Sequence, residues 1–510
     1  MNIHNKYNNN RKSKWFVLIS TCLGLLILNI DLFIVNVALP VISNNFHTSL
    51  SLASWTISAY ALMLGVFPAG MGRIGDILGQ KKLYITGLVI FTLSSLACGL
   101  AGNIAQLIFF RVIQGIGAAV LTPGTLSILV NAFPQKQRGL AIGLNGGIGG
   151  LGLVAGPVLG GLLIRGENWR WIFFINIPLG IVALLLTCLY VEEFYDENAS
   201  RNIDWLGLAC LCLGLFSILF AFTKAGNHGF DRYSILYLLA GAALLCLFVF
   251  AEGRIQNPLV ELSLFRIPGF IMPCITLFLF SASLYGSQPY WSLFMQNYWG
   301  FTPLQGGLAF VPATTLVVLL TPFGGIISQK SGEGLRYITM TAILLVGVSF
   351  VYAAGIHGQS AYASRLLPAL LIRSAGIPIV LSSTAFSVMN SVSSERAGIA
   401  SGVLNMFKNT GTAMGVAILG QLYMHDVNNI VPKLAPEISL NKLAEIENLA
   451  SKFIPAADEF LKPTTVAAIL SGFRHMSVIC ALACFPALIS AILIKSRLSD
   501  NPAEIKNVNE

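Results

Sequence analysis

The chain has 510 residues, of which 55% are hydrophobic and only 10% are charged, and its formal net charge is +9. Soluble proteins carry nearer 25% charged residues, so this composition excludes an ordinary soluble enzyme or binding module and indicates a protein of the lipid bilayer. The basic residues are scattered over short loops and not gathered on one module, which excludes nucleic acid as a partner.

Apolar stretches recur along nearly the whole chain, and each is long enough to cross a hydrocarbon core of about 30 Å as a helix. We predict about fourteen spans, with edges good to a few residues. The first stretch is long and carries Asp31, so we interpret it as a retained span and not a cleaved signal. The predicted spans are 15–39, 52–71, 83–101, 104–130, 140–164, 171–191, 205–223, 233–251, 270–295, 306–327, 337–356, 366–388, 400–424 and 476–494.

The distribution of Lys and Arg over the short loops predicts how the chain is oriented in the membrane. Basic residues precede the first span and follow the second and fourth, whereas the loops after the first and third spans contain no Lys or Arg. We therefore expect a multi-pass protein of the cytoplasmic (inner) membrane with both termini in the cytoplasm.

The chain repeats itself weakly, which predicts two related halves. The stretch that begins with Arg111 in the fourth span resembles the one that begins with Arg373 in the twelfth. The stretch 138–143, which enters the fifth span, is echoed by the stretch 396–402, which enters the thirteenth. Internal repeats of six spans are typical of transporters whose halves rock about a central site.

These observations predict an all-α membrane protein with two six-helix halves and two inserted central helices. The predicted domains are the N-terminal half 1–190, an acidic linker with the two inserted spans 191–266, the C-terminal half 267–494 and a cytoplasmic tail 495–510. The C-terminal half contains a long outer loop, 425–475. Within it, 440–453 has apolar residues at helical spacing, which fits either a helix on the outer face or a mobile polar loop.

Asp31 is the one acidic residue deep inside any predicted span. A carboxylate in hydrocarbon costs from about 2.5 to over 10 kcal/mol and is normally kept for a task. By helical rise Asp31 lies about 24 Å above the inner edge of its span, and Arg111 about 10 Å below the outer edge of the fourth span. In a core of about 30 Å these depths are similar. We predict that Asp31 and Arg111 pair and couple protons to transport; a static structural ion pair is the alternative.

Two glycine motifs are candidates for a conformational switch. In the loop 72–82, glycines allow close helix approach, and Asp76 is placed to receive the end of a neighbouring helix, with Arg73 and Lys81 as partners. The alternative is a loop that is merely positive-inside. In span five, small residues four apart allow close packing and a proline bends the helix, although plain helix packing is equally compatible. The candidate switch residues are Gly72, Asp76, Gly79, Lys81, Gly152, Gly156, Pro157 and Gly160.

Taken together, these motifs resemble those of the major facilitator superfamily. The loop 72–82 matches its signature loop, 111–117 its fourth-span motif, and 152–161 the motif typical of its antiporters. Residues 28–40, 169–178 and 257–265 resemble the fourteen-span drug:proton antiporter branch. The resemblance implies a twelve-span core with two extra spans, and efflux driven by a proton gradient with no cofactor. The counterpart loop 324–332 departs from the signature because it lacks the aspartate.

Polar and basic side chains within the spans are candidates for a substrate site. If Asp31 offsets Arg111, two positive groups remain in the spans, Arg373 and Lys408, which favours an anionic, zwitterionic or polar substrate over a dication. The candidate substrate-binding residues are Asn36, Gln114, Asn145, Tyr285, Gln288, Arg373, Asn405 and Lys408.

We expect proton-coupled export of an amphipathic small molecule or drug across the cytoplasmic membrane. The alternative is a dedicated exporter of an endogenous anionic or zwitterionic metabolite such as a siderophore. An enzyme is disfavoured because the sequence has no paired catalytic carboxylates, nucleotide-binding loop or metal-site spacing of Cys and His. The expected partners are the small-molecule substrate, protons and the lipid bilayer, and a periplasmic adaptor with an outer-membrane channel stays open.

Overall fold

The computed structural model describes residues 13–48, 50–164, 168–195, 204–228, 231–255, 262–357, 362–393, 396–434 and 462–494, and all regular structure in these residues is helical. Short 3₁₀ turns at Leu262–Arg266 and Gly332–Gly334 and a π turn at Tyr362–Leu366 connect longer elements. In chain order, the α-helices of the described residues are α1 (Ser13–Asn45), α2 (Leu50–Val66), α3 (Pro68–Leu78), α4 (Gln80–Gly99), α5 (Ile104–Ala132), α6 (Gln135–Leu163), α7 (Trp171–Phe174), α8 (Asn176–Tyr190), α9 (Trp205–His228), α10 (Arg232–Glu252), α11 (Pro268–Trp299), α12 (Pro303–Ala309), α13 (Val311–Lys330), α14 (Leu335–Ala354), α15 (Leu367–Asn390), α16 (Ala397–Leu434) and α17 (Lys462–Ile492).

The predicted all-α membrane architecture is confirmed. Among the described residues, eleven helical segments are long and apolar enough to cross a membrane, and twelve if α2 and α3, which meet at 51°, form one span. Every predicted span falls on a helix, and α6 and α16, which are not among the twelve, cover the fifth and thirteenth. The count of fourteen spans stays a prediction.

Two boundaries differ from the sequence prediction. The segment 72–82 is not a loop: Pro68 starts α3, which continues to Leu78, and Gly79 turns the chain at φ 112°, a conformation that glycine adopts without strain. The outer loop predicted at 425–475 is shorter, because α16 continues past its apolar part to Leu434 and α17 begins at Lys462. The segment 440–453, predicted as either a helix or a mobile polar loop, lies outside the described residues, as do residues 196–203 of the predicted linker and the tail 495–510.

The helices before α9 and those after α10 pack mainly among themselves. In the first group α1 lies against α6 and α8, and α4 against α5. In the second, α11 lies against α16 and α17, and α14 against α15 and α17. The two groups meet chiefly where α3 packs on α16 and α6 packs on α13. This arrangement fits the predicted halves, whose exact boundaries stay a prediction.

Helices α9 and α10, predicted as an insertion between the halves, form a hairpin that lies beside the junction of the two groups. α9 packs on α2 and α16, whereas α10 packs on α9. Leu208 and Leu219 of α9 fill notches at Gly70 and Gly65, where an added Cβ would come within 2.2 and 2.8 Å of the leucine side chains. The glycines therefore let α9 approach closely.

Candidate functional site

The predicted pair of Asp31 and Arg111 is present and lies inside the N-terminal helix group. Both side chains are fully buried and form a direct ion pair. Asp31 Oδ1 also accepts hydrogen bonds from Gln114 Nε2 at 3.0 Å and from Asn176 Nδ2 at 2.9 Å. Because a buried carboxylate is tolerated only when it is paired and hydrogen-bonded, these donors make the anionic form possible here.

Besides Asp31, Arg111 is held by groups on two helices, α2 and its own helix α5. Its Nε donates to the Thr56 carbonyl oxygen at 2.8 Å and its Nη1 to Gln114 Oε1 at 2.9 Å. Its guanidinium carbon lies 4.2 Å from the centre of the Tyr60 ring, a cation–π arrangement. Arg111 and Gln114 are three residues apart on α5 and so share one face of the helix. The predicted substrate residue Gln114 thus lies in the ion-pair network.

Asn176 was not among the predicted site residues, yet it contacts Asp31 directly. The helix breaks between α7 and α8, with Ile175 as the turn, and Asn176 begins α8. Besides Asp31, its amide group donates to Ser95 Oγ at 3.1 Å. The sequence signal was the stretch 169–178, which the resemblance had singled out without giving Asn176 a role.

The span-five glycines pack α6 directly against α1. A Cβ at Gly152 would lie 2.6 Å from the Asn29 Cβ, and one at Gly156 would lie 2.9 Å from the Phe33 Cβ. Gly160 continues this row, at 3.1 Å from the nearest side-chain atom. These contacts lie within the N-terminal group, so α1 and α6 are closely joined; a switching role for the row stays a prediction. The side chain of Pro157 lies outside the described part of the chain.

A central cavity of about 150 Å³ lies between the two helix groups. Four of the predicted substrate residues line it: Asn145, Tyr285, Asn405 and Lys408. Asp31 does not line the cavity, although its neighbours Asn29 and Leu32 on α1 do. One helix therefore carries the ion pair on one face and cavity-lining side chains on another.

The other predicted substrate residues lie elsewhere. Asn36 is exposed and donates to carbonyl oxygens of its own helix. Arg373 is buried, donates to Gln288 Oε1 at 3.1 Å and lies 4.4 Å from the centre of the Trp291 ring. This arrangement mirrors the pair on α1 and α5, with a neutral amide in place of the carboxylate of Asp31. Neither Arg373 nor Gln288 lines the cavity.

Asp76 joins the two groups at the basic end, the end of the bundle that carries Lys82, Lys136 and Lys330. Its Oδ1 accepts from the Gly398 N–H at 2.9 Å and its Oδ2 from the Ile399 N–H at 2.8 Å. These donors lie in the first turn of α16, which begins at Ala397 and where a carboxylate is favoured by the helix dipole. The predicted reception of a helix end is thus present.

Close backbone contact accompanies this interaction. A Cβ at Gly72 would lie 2.3 Å from the Gly398 carbonyl oxygen, so only glycine allows the approach. Gln80 supports Asp76 by donating from Nε2 to Oδ1 at 2.7 Å. The predicted partner Lys81 instead places its ammonium group 3.0 Å from the Cys188 carbonyl oxygen.

A second junction at the basic end uses Gln329, which sequence reasoning missed. Its Oε1 accepts from the Gly139 N–H at 3.1 Å, and its Nε2 donates to the Gln135 carbonyl oxygen at 3.0 Å. Gln329 follows Gly325 by four residues, as Asp76 follows Gly72, and a Cβ at Gly325 would lie 2.0 Å from the Gly139 carbonyl oxygen. The glutamine therefore occupies the place of the aspartate that the loop 324–332 lacks.

The described residues contain no cluster of three or more His, Cys, Asp or Glu side chains that could hold a metal ion. The nine cysteines are free, and seven of them are buried. Among the described residues, the candidate functional features are therefore the ion-pair network, the central cavity and the two junctions.

Comparison with known proteins places this geometry in context. The model of the Major Facilitator Superfamily matches residues 21–416. The multidrug resistance protein Stp of Mycobacterium tuberculosis (strain CDC 1551 / Oshkosh) is 32% identical over 413 residues, 81% of this chain and 76% of the relative. The tetracenomycin C resistance and export protein of Streptomyces glaucescens is 29% identical over 444 residues, 86% of this chain and 81% of the relative. The crystal structure of the human organic anion transporter MFSD10 (TETRAN) shares the fold, with a TM-score of 0.63, 16% identity and coverage of 94% of this chain and 99% of that chain.

Proposed function

The chain belongs to the Major Facilitator Superfamily, and from that premise we propose that it exports amphipathic small molecules across the cytoplasmic membrane in exchange for protons. The relatives named for multidrug resistance and for export of tetracenomycin C support drug efflux. The observation that carries the proton coupling is Asp31, a fully buried carboxyl on a membrane helix, held by an arginine and two amides. Members of this family are generally not enzymes, and no catalytic activity is proposed.

The coupling we propose runs through α1. When Asp31 takes up a proton, Arg111 loses its anionic partner, and the uncompensated buried charge favours a rearrangement of α1 against α5. Because Asn29 and Leu32 on the same helix line the cavity, this movement changes the substrate site. α6 follows α1, since their backbones are in close contact at Gly152 and Gly156.

The two junctions at the basic end indicate on which side of the membrane the described conformation is closed. In the predicted topology the basic end faces the cytoplasm, so Asp76 and Gln329 hold the protein closed on that side. The cycle then requires both junctions to open for substrate to enter from the cytoplasm. An adaptor and an outer-membrane channel are not needed for this step and stay a prediction.

The test is transport by the purified full chain in proteoliposomes with an imposed pH gradient. The probes are fluorescent amphipathic compounds of different charge, including the zwitterion norfloxacin, with entrapped pyranine to report proton movement. We expect the gradient to drive at least one probe, and Asp31→Asn to abolish that transport. Asp231→Asn is the matched control, because it neutralises an aspartate of the other ion pair among the described residues, which caps α10 and makes no hydrogen bond with the network. Wild-type rates in Asp31→Asn would refute the proposal, as would a gradient that drives no probe.

A second candidate function is dedicated export of an endogenous anionic or zwitterionic metabolite. The observation that favours it is the lysine in the cavity wall, Lys408, since no aspartate or glutamate is found among the described residues that line the cavity. Both functions use the same proton coupling, and they differ in the charge of the preferred substrate.

A further inference from the structure

The charge of the central cavity is set by one residue. Among the described lining residues Lys408 is the single charged side chain, and no aspartate or glutamate joins it. The two ion pairs within the described residues are Asp31–Arg111 and Lys224–Asp231, so Lys408 belongs to neither. It is half-buried on α16. A cation in a largely apolar cavity is costly unless it is compensated, and an anion in the cavity compensates it.

Four asparagines in the same wall add a second preference. Each donates from its amide nitrogen within the protein: three donate to backbone carbonyl oxygens at 2.9 Å, and one donates to a cysteine sulfur at 3.8 Å. Their side-chain carbonyl oxygens receive no hydrogen bond from the residues that the structure describes. An amide oxygen is an acceptor only, so these groups match a ligand that brings hydroxyl or amide donors. The four residues are Asn29, Asn145, Asn405 and Asn409.

Most of the remaining wall is apolar. Leucines from α1, α11, α15 and α16 surround the polar groups, with Phe33 at one side. Pockets of this composition hold a ligand by its apolar body and orient it by a few polar contacts. The occupant that fits is therefore amphipathic.

We propose that the central cavity selects amphipathic anions, carboxylates or phenolates, that also carry hydroxyl or amide groups. The anionic group binds the Lys408 ammonium, and the hydroxyl or amide donors bind the asparagine carbonyl oxygens. The inference rests on the proposed transport function for the location of the substrate, and it adds the substrate's chemical class. Lipophilic cations are disfavoured because they would share the cavity with an uncompensated lysine.

The test is direct binding of a matched probe series to the purified full chain by isothermal titration calorimetry. The series keeps one naphthalene scaffold with one hydroxyl group and varies the second substituent: a carboxylate in 6-hydroxy-2-naphthoate, whose hydroxyl is too distant to bond its own carboxylate, a carboxamide, or a trimethylammoniomethyl group. We expect the carboxylate to bind at least about tenfold more tightly than either analogue, the size of effect that one charge-assisted hydrogen bond supplies. Removal of the hydroxyl from the naphthoate should weaken binding several-fold.

Variants locate the preference in the cavity. Lys408→Gln should remove the preference for the carboxylate, Lys408→Arg should keep it, and Lys330→Gln, at an exposed lysine outside the cavity, should leave it unchanged. The inference is overturned if the ammonium probe binds the wild type more tightly than the carboxylate does, or if Lys408→Gln keeps the preference for the carboxylate. If Lys408→Gln fails to fold, the affinities of the probe series for the wild type decide. Because binding needs no proton gradient, a carboxylate preference without gradient-driven transport would refute proton coupling and leave the substrate class standing.

Discussion

Replacing Asp76 by asparagine is expected to open the basic end of the molecule. The carboxylate accepts two backbone N–H groups of α16, at 2.9 and 2.8 Å. Asparagine keeps one acceptor oxygen but turns an NH₂ group toward the other donor. The change therefore removes one charge-assisted hydrogen bond and the favourable interaction of a negative charge with the helix N-terminus.

The size of the effect follows from these two losses. A charge-assisted hydrogen bond contributes about 1.5–3 kcal/mol, and a charge at a helix end contributes about 0.3–1 kcal/mol or somewhat more when partly buried. The closed state should thus lose about 2–4 kcal/mol relative to the open one. Since about 1.4 kcal/mol is a factor of ten, the closed-to-open ratio should fall roughly 30-fold to 1,000-fold.

Double electron–electron resonance between nitroxides on the two helix groups measures this shift. Lys82→Cys and Lys330→Cys place labels at exposed positions of the basic end, in a background where the exposed Cys188 and Cys246 are serine. We expect Asp76→Asn to add a longer-distance population, and to slow transport while substrate binding changes little. Asp231→Asn is the control, because that aspartate caps α10 without joining the two groups. The reasoning fails if Asp76→Asn leaves the distances unchanged, or if it abolishes binding while turnover is intact.

Three further predictions concern the junctions, the glycine row and the inserted hairpin. Gln329→Leu should weaken the second junction by about 1–3 kcal/mol, the net value of two neutral hydrogen bonds. The prediction is contradicted if the longer-distance population in the same resonance measurement is larger in Gln329→Leu than in Asp76→Asn. Gly156→Ala should destabilise the protein by about 1–3 kcal/mol, because the added Cβ would lie 2.9 Å from the Cβ of Phe33 on α1. Gly146→Ala on the same helix should cause no such loss, because its nearest neighbour would lie 3.9 Å away. The two variants are compared by their melting temperatures in detergent. Hydrogen bonding from Lys224 holds the pKa of Asp231 below its usual range, so Asp231 stabilises the hairpin above its ordinary pKa and loses that effect as pH falls. The melting-temperature difference between wild type and Asp231→Asn should therefore shrink below about pH 5, and a difference that is constant with pH would show that the ion pair contributes nothing.

The sequence predicted those features that depend on depth in the membrane or on a motif within one segment of the chain. Asp31 and Arg111 could be matched because helical rise converts residue number into depth in the membrane. The interaction of Asp76 with a helix end followed from its place among glycines and basic residues. In both cases the relevant geometry is carried by spacing along one chain segment.

Features that depend on which face of a helix meets which neighbour were not predictable in the same way. Gln114 and Asn145 are both amides in apolar spans, but one binds Asp31 and the other lines the cavity. Rotation of each helix about its axis decides this, and it is set by tertiary packing. Asn176 and Gln329 were missed for a related reason, since each acts on a helix distant in sequence.

The position of α9 makes the two sides of the molecule unequal toward the surrounding lipid. In the proposed transport cycle, rocking of the two halves would part them along lateral crevices wide enough for acyl chains or membrane-dissolved compounds. On the side of α2 and α16, α9 packs on both helices, with Leu208 and Leu219 set into glycine notches. In the proposed cycle the hairpin would therefore cover that crevice, which leaves the opposite side, where α6 and α13 meet, as the side open to a compound entering from the bilayer.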